Sequence, residues 1–201
     1  ALYFGGVTVA ESATGWPLAH PPGTQFRYAN NDSVLAVHAL RAATGDEARA
    51  LSRPFTDLFW PLGMTRTVAE TDWRGGFVLS SQVWSTARDL ARFGLLLQQD
   101  GMFDGRRLLP DGWVRAATTP SGPQPEGDLG YGATLWLMQR APGVPADTFA
   151  AMGNRGQYVI VVPSRGVVLV RRGEDPTGKR FDPAAFTAAV LASLDAAMPP
   201  R

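Results

Sequence analysis

The sequence predicts an α+β fold: an antiparallel sheet with a helical subdomain and a C-terminal helix packed on the sheet. Two observations predict it. Helix signals dominate residues 1–130, whereas short apolar runs punctuated by Gly and Pro follow from residue 131. An amphipathic run then closes the chain after Asp182-Pro183, and such a helix needs a sheet face to cover. The expected organisation is a mostly helical portion over 1–130 and antiparallel strands plus a terminal helix over 131–201.

Residues 1–30 read as irregular structure around one short helical stretch, because Trp16-Pro17-Leu18-Ala19-His20-Pro21-Pro22-Gly23 cannot sustain a helix. Asn30-Asn31-Asp32-Ser33 is a cluster of N-cap residue types. Behind it Val34, Leu35, Val37, His38, Leu40 and Arg41 run at helical spacing to Gly45, a C-terminal stop. A shorter helix is expected from Pro54 to about Trp60. Met64 to Trp73 reads as extended, broken by Gly75-Gly76. Thr86 and Asp89 have capping-box spacing, opening an amphipathic helix through Leu90, Phe93, Gly94, Leu97 and Gln98 to Asp100-Gly101. Another short helix starts at Pro110-Asp111-Gly112-Trp113.

Pro120 to Gly130 holds three Pro and three Gly and is a loop. Four strands are expected after it: Tyr131–Met138, Thr148–Met152, Gln157–Val162 and Val167–Arg171, the last two joined by a turn at Pro163-Ser164-Arg165-Gly166. Asp182 before Pro183 starts the last helix, whose apolar face is Phe186, Val190, Leu191, Leu194 and Met198. There are no internal repeats and no low-complexity tract.

Composition excludes several functions. The chain has 201 residues, 45% of them apolar and 18% charged, with a formal charge of +1. That apolar fraction and low charge are unlike a disordered chain, and a globule of this mass buries roughly 70% of its unfolded surface. No apolar run approaches the ~20 residues of a membrane-spanning helix. Near-neutral charge argues against a dedicated nucleic-acid binder. With no cysteine, disulfides and thiolate chemistry are excluded, and the compartment, cytoplasmic or periplasmic, stays open. The chain has one lysine, Lys179, and two histidines, His20 and His38. It starts at Ala1 with no charged-then-apolar leader, as a processed product or a piece of something longer would.

Taken alone, Tyr28-Ala29-Asn30 reads as a buried aromatic next to a capping asparagine. The surrounding pattern adds to it. Pro22-Gly23-Thr24-Gln25-Phe26-Arg27-Tyr28-Ala29-Asn30 resembles the second motif of the penicillin-recognising, β-lactamase-like serine hydrolases: class C β-lactamases, family VIII esterases, serine D-peptidases and 6-aminohexanoate-dimer hydrolases. Pro61-Leu62-Gly63-Met64, the run Ser85 to Gly94, Tyr131-Gly132 through Trp136, and Ala151-Met152-Gly153-Asn154-Arg155-Gly156-Gln157 follow in the family's order. The likeness covers nearly the whole chain from about residue 15 and is strongest to the hydrolase and esterase branch.

The resemblance implies a role for each matched residue. Tyr28 matches the tyrosine that accepts and donates protons. Asn30 matches the asparagine that binds the substrate carbonyl and orients a catalytic lysine. Ala151-Met152-Gly153 falls where the family has Lys-Thr-Gly or His-x-Gly on a strand facing the site, with Gly153 counted in the substrate-binding set. Alanine at the cationic position puts recognition of a β-lactam carboxylate in doubt and favours an ester or amide. Asn154 would supply one backbone N–H of the oxyanion hole, a donor worth roughly 3–4 kcal/mol in acyl transfer. Tyr131 and Trp136 are either core aromatics or walls of an acyl pocket. The resemblance implies no cofactor, and a small acyl compound as substrate.

The family's nucleophile lies in Ser-x-x-Lys, where the lysine activates the serine one helical turn away. None of the nine serines has Lys three residues on. In the family that motif precedes Tyr-x-Asn, so the chain resembles a C-terminal part, one partial catalytic domain incomplete relative to the family. A free phenol titrates near pH 10, so serving as a base at neutral pH takes about three units of lowering, for which positive charge is the obvious source. Arg155 is the one basic residue inside either matched motif's core.

Other sites weigh little. No Gly-x-Ser-x-Gly elbow supports a triad through His20 or His38. The two scattered histidines make a poor metal site, and Gly153-Asn154-Arg155-Gly156 lacks the Gly-Lys pair of a phosphate loop. Arg106-Arg107 and Arg171-Arg172 read as solvated charge. The alternative to a hydrolase part is a non-catalytic ligand-binding or assembly domain of the same fold. The family's sheet is completed by strands beside the last one, so Val167 to Val170 would present an open edge for a complementary N-terminal segment or a second copy.

Overall fold

The computed structural model describes residues 8–178 and 181–197, a mixture of helices and antiparallel strands. The chain divides into two compact units, Ala1–Asp89 and Leu90–Arg201.

The first unit is helical at its start. Helix α1 (Val9–Thr14) opens on a capping box: Thr8 Oγ1 accepts from the Glu11 N–H at 3.2 Å, and Glu11 Oε2 accepts from the Thr8 N–H at 3.0 Å. Helix α2 (Asn30–Thr44) ends as the sequence predicts, with Gly45 left-handed at φ 67° and its N–H on the Ala42 carbonyl. Its cap position is Ala29, extended at φ −136°, so Asn30 is the first helical residue and not the cap. Val34 of α2 meets Val9, Ala13 and Val78 in a small buried cluster.

The helix expected from Pro54 starts earlier. Helix α3 (Glu47–Arg53) is capped by Asp46, whose carboxylate accepts from the Arg49 N–H at 3.0 Å. It runs directly into a π-helical segment, Pro54–Phe59. Pro54 has no N–H to continue the α ladder, and the winding loosens beyond it: the Trp60 N–H reaches the Phe55 carbonyl at 2.8 Å, and Met64 reaches Phe59 at 2.8 Å. The extended stretch from Met64 contains a short strand, β1 (Val68–Ala69), paired with β2 (Val83–Trp84), and a single bridge from Thr71 to Phe77. Asp72 closes the loop between them by accepting from the N–H groups of Arg74 and Gly76 at 3.0 and 2.7 Å. At the end of the unit Asp89 is 3% exposed; its Oδ2 accepts from the Arg66 N–H at 2.9 Å and the Thr67 hydroxyl at 3.1 Å.

The second unit is built on a five-stranded antiparallel sheet. Its strands are β5 (Gly130–Tyr131), β6 (Trp136–Leu137), β7 (Phe149–Gly153), β8 (Gln157–Val162) and β9 (Val167–Arg171), adjacent in sequence order. The small hairpin β3 (Met102–Phe103) with β4 (Arg106–Arg107) precedes it. Strands β8 and β9 have their predicted bounds. The strand expected over Tyr131–Met138 is instead a hairpin, with Tyr131 opposite Trp136 and the Gly132 N–H on the Leu135 carbonyl at 2.9 Å. Thr134 turns the chain at φ 67°, and a Cβ on Gly132 would collide with the Ala117 carbonyl. The left-handed Thr134 marks a reversal where the alternating pattern predicts a continuous strand.

Alternation along the strands gives the sheet two apolar faces. Leu137, Phe149 and Val161 pack with Leu97 of α4 (Ala87–Gln98) and with Val114 and Ala117 of α5 (Trp113–Ala117). Ala150, Ile160 and Val162 pack instead with Leu191 of α6 (Pro183–Ala197). Gly94 lets α4 lie close on the strands, because a Cβ there would strike the side chains of Val168 and Val159. Asp182 starts α6 as predicted, its Oδ1 accepting from the Ala184 and Ala185 N–H groups at 2.9 and 3.0 Å. The predicted apolar face of α6 is only half buried: Leu191 is covered together with Thr187, whereas Phe186 and Leu194 are exposed. Met198 lies outside the described residues, as does Lys179.

Candidate active site

The matched residues form three groups. In the first unit Tyr28 and Asn30 flank Ala29 at the start of α2. An extended Ala29 places the tyrosine just ahead of the helix and the asparagine inside its first turn. The sequence reads Tyr28 as a buried aromatic; the structure corrects this, since the residue is 54% exposed and Asn30 is exposed beside it. Both are open to a reactant. His20 and His38 are exposed as well.

In the second unit Gly153 ends β7 and pairs with Gln157 of β8, so Asn154-Arg155-Gly156 is a three-residue hairpin turn. Ala151, two residues before the turn, packs its methyl against the cluster of Leu97, Leu137 and Phe149. That position therefore presents no charge. Arg155 holds a left-handed backbone at φ 57°, uncommon for a residue with a side chain, and Gly156 follows at φ 84°.

The turn is anchored from one side. The Arg155 carbonyl accepts from the Asp175 N–H at 3.0 Å, and its guanidinium pairs with Glu174 at 2.7 Å. The Gly156 carbonyl accepts from Arg171 Nη1 at 2.8 Å. Arg171 also grips both oxygens of Asp175, at 2.9 and 2.6 Å. This hydrogen-bonded guanidinium holds the Asp175 carboxyl below the usual carboxylate range, and the carboxylate in turn pushes Arg171 up. Gln157 donates to the Gly173 carbonyl and accepts from Arg172 Nε at 2.8 Å. Reading Arg171-Arg172 as solvated charge is thus corrected for Arg171, which is half-buried and tied to the hairpin; Arg172 is exposed, as read, and touches Gln157. The sequence carried no signal for this, because the spacing of Arg171 and Asp175 matters only once the chain leaves β9.

The third group is Tyr131 and Trp136, stacked edge to face with ring centroids 5.0 Å apart. Gln124 bridges the Tyr131 backbone, Oε1 accepting from its N–H at 2.8 Å and Nε2 donating to its carbonyl at 3.1 Å. Trp136 pairs with Ala150, placing it on the opposite sheet face from Ala151. Register therefore favours the packing role for Trp136.

Chemically, the first unit offers an exposed phenol and amide, and the second a backbone turn held in a strained shape next to an uncharged strand. Among the described residues no cluster of three or more His, Cys, Asp or Glu could hold a metal ion.

The family model described as Beta-lactamase matches residues 6–193. A Bacillus anthracis structure assigned as a 6-aminohexanoate-dimer hydrolase superposes with a TM-score of 0.73 at 22% identity, over 92% of this chain and 47% of that one. A β-lactamase from Mycobacterium bovis gives 0.65 at 22% identity, over 87% and 66%. A penicillin-binding protein homologue from Caulobacter crescentus gives 0.63 at 19% identity, over 79% and 56%. The chain thus spans about half to two thirds of their lengths. No curated protein matches it.

Proposed function

The chain belongs to the β-lactamase family, and from that premise we propose that it is the C-terminal part of a serine hydrolase acting on ester, amide or lactam bonds through an acyl-enzyme. The attacking serine and its activating lysine belong to a segment outside this sequence. One observation carries the reading: both matched motifs stand on the elements the chemistry needs, Tyr28-Ala29-Asn30 at a helix start and Gly153-Asn154 at a strand end, while no serine has Lys three residues on.

In the complete hydrolase the serine Oγ attacks the acyl carbon as its proton passes to a base, with Tyr28 in the relay. The tetrahedral oxyanion receives the Asn154 N–H, and its collapse expels the alcohol or amine, protonated through Tyr28. Water then repeats the sequence on the acyl-enzyme. Asn30 positions the substrate carbonyl and the lysine, and Gly153 belongs to the strand end that binds the acyl compound. Tyr131, paired directly with Trp136, shares its sheet face and supports the sheet from the side opposite Ala151. The uncharged Ala151 directs the site to neutral acyl groups.

The sheet order favours a second reading of the same chain. Among the described residues β9 has a neighbour on its β8 side alone, and Val167-Val168-Leu169-Val170 carries no Pro, Lys or other blocking residue. A complementary segment, or a second copy, would pair along it, and a domain acting only through that edge would be an assembly module and not an enzyme. Hydrolysis of p-nitrophenyl butyrate separates the two. The hydrolase reading expects turnover once an N-terminal segment bearing Ser-x-x-Lys is supplied; an assembly module stays inactive with it.

A further inference from the structure

Arg155 keeps a left-handed backbone at φ 57° in the turn that carries Asn154. A residue with a Cβ stays in such a conformation only where its surroundings over-determine it. The surroundings here are specific. Arg171, at the end of β9, sends Nη1 to the Gly156 carbonyl at 2.8 Å and closes a two-pronged pair with Asp175. Asp175 in turn gives its own N–H to the Arg155 carbonyl at 3.0 Å. The guanidinium carbon also lies 4.0 Å from the centre of the Phe181 ring. Two glycines mark how tightly the parts fit. A Cβ on Gly156 would strike Arg171 Nη1 and the Asp175 carboxylate, and one on Gly173 would come within 2.6 Å of the Gly156 carbonyl and 2.9 Å of the Arg155 carbonyl.

We propose that Arg171 and Asp175 are positioning residues that clamp the 154–156 turn and so fix the direction of the Asn154 N–H. The proposal deepens the hydrolase reading and rests on it for the role of that N–H. The clamp itself does not depend on it. Arg171 holds the Gly156 carbonyl and the Asp175 N–H holds that of Arg155, which fixes the 155–156 and 156–157 peptide planes; Gly153 is fixed opposite Gln157 by strand pairing, so Asn154 lies between two held ends. The exposed Arg155–Glu174 pair is not part of the clamp, because water screens it.

Backbone ¹⁵N relaxation on the 201-residue chain tests this. Wild-type order parameters at Arg155 and Gly156 are expected at about 0.85, falling below about 0.6 in Arg171→Gln and Asp175→Asn while Ile160 in β8 is unchanged. Glu174→Gln is expected to leave the turn ordered. Arg171→Lys, which keeps the charge but loses the two-pronged pair, is the second route should Arg171→Gln fail to fold. A turn that stays ordered without Arg171 or Asp175, or one loosened equally by Glu174→Gln, overturns the clamp. In the hydrolase completed with the upstream segment, Arg171→Gln is expected to lower kcat about tenfold or more with KM within about twofold, the mark of a contact made in the transition state. A rise in KM alone overturns the positioning role. An inactive completed wild-type enzyme sinks the hydrolase reading and leaves the clamp to be decided by the order parameters.

Discussion

Arg171 and Asp175 face each other through two parallel hydrogen bonds, 2.9 and 2.6 Å long, with the carbonyl of Gly156 sharing the same guanidinium nitrogen. Their side chains are only 25% and 19% exposed. The pair is thus a junction between the end of β9, the segment after it and the turn between β7 and β8.

This junction sets an acid limit on stability. The bond from Arg171 depresses the Asp175 carboxyl in the folded chain. Such a group stabilises the fold fully above its unfolded value, about 3.9, and loses that contribution as pH falls through its lower folded value. Urea midpoints should therefore fall between pH 5 and about pH 3 by less in Asp175→Asn than in the wild type. An identical acid dependence in both contradicts the linkage.

Gly94→Ala should destabilise the second unit. Alanine gains about 1 kcal/mol of helix propensity, but its methyl would overlap Val168 and crowd Val159 at 3.0 Å. Overpacking costs typically 1–3 kcal/mol, so a net loss of about 1 kcal/mol is expected in urea unfolding. A gain in stability would show that α4 lies farther from the sheet.

Leu137→Ala should cost about 2–5 kcal/mol by the same measurement, since the side chain is fully buried between Phe149 and the α4 and α5 residues of its cluster. A change below about 1 kcal/mol would mean this side chain is not core.

In the completed hydrolase, Tyr28→Phe removes only the phenolic oxygen. Loss of a positioned proton carrier should lower kcat by about 10²–10⁴-fold. Retained kcat would remove Tyr28 from the proton relay.

The sequence speaks clearly where the controlling physics is local. Gly45 ends α2 because the stop needs a left-handed residue, and Asp182-Pro183 starts α6 because cap and fixed φ lie side by side. Strands β8 and β9 carry continuous apolar runs bounded by turn residues, and both kept their bounds. What the sequence hides is set by contacts between distant segments. The hairpin at Tyr131–Trp136 turns at a left-handed Thr134 and is held to the distant Ala117 carbonyl by the Ala133 N–H at 2.9 Å. The burial of Asp89 follows from N–H and hydroxyl donors more than twenty residues away. At the candidate site the motifs are readable from residue type and order, whereas the clamp on the 154–156 turn is a tertiary arrangement of residues that look like surface charge.

Light scattering across a concentration series tests the β9 edge. The unblocked edge predicts a mass that rises above the 21.6 kDa monomer with concentration. A monodisperse monomer throughout contradicts an available edge.

The most direct measurement is hydrolysis of p-nitrophenyl butyrate by the 201-residue chain, first alone and then with an N-terminal segment bearing Ser-x-x-Lys. The account predicts no turnover from the chain alone and turnover once a Ser-x-x-Lys segment is supplied, with a transient acyl-serine trapped by acid quench and seen by mass. Turnover by the chain alone, or none when that segment is bound, contradicts it.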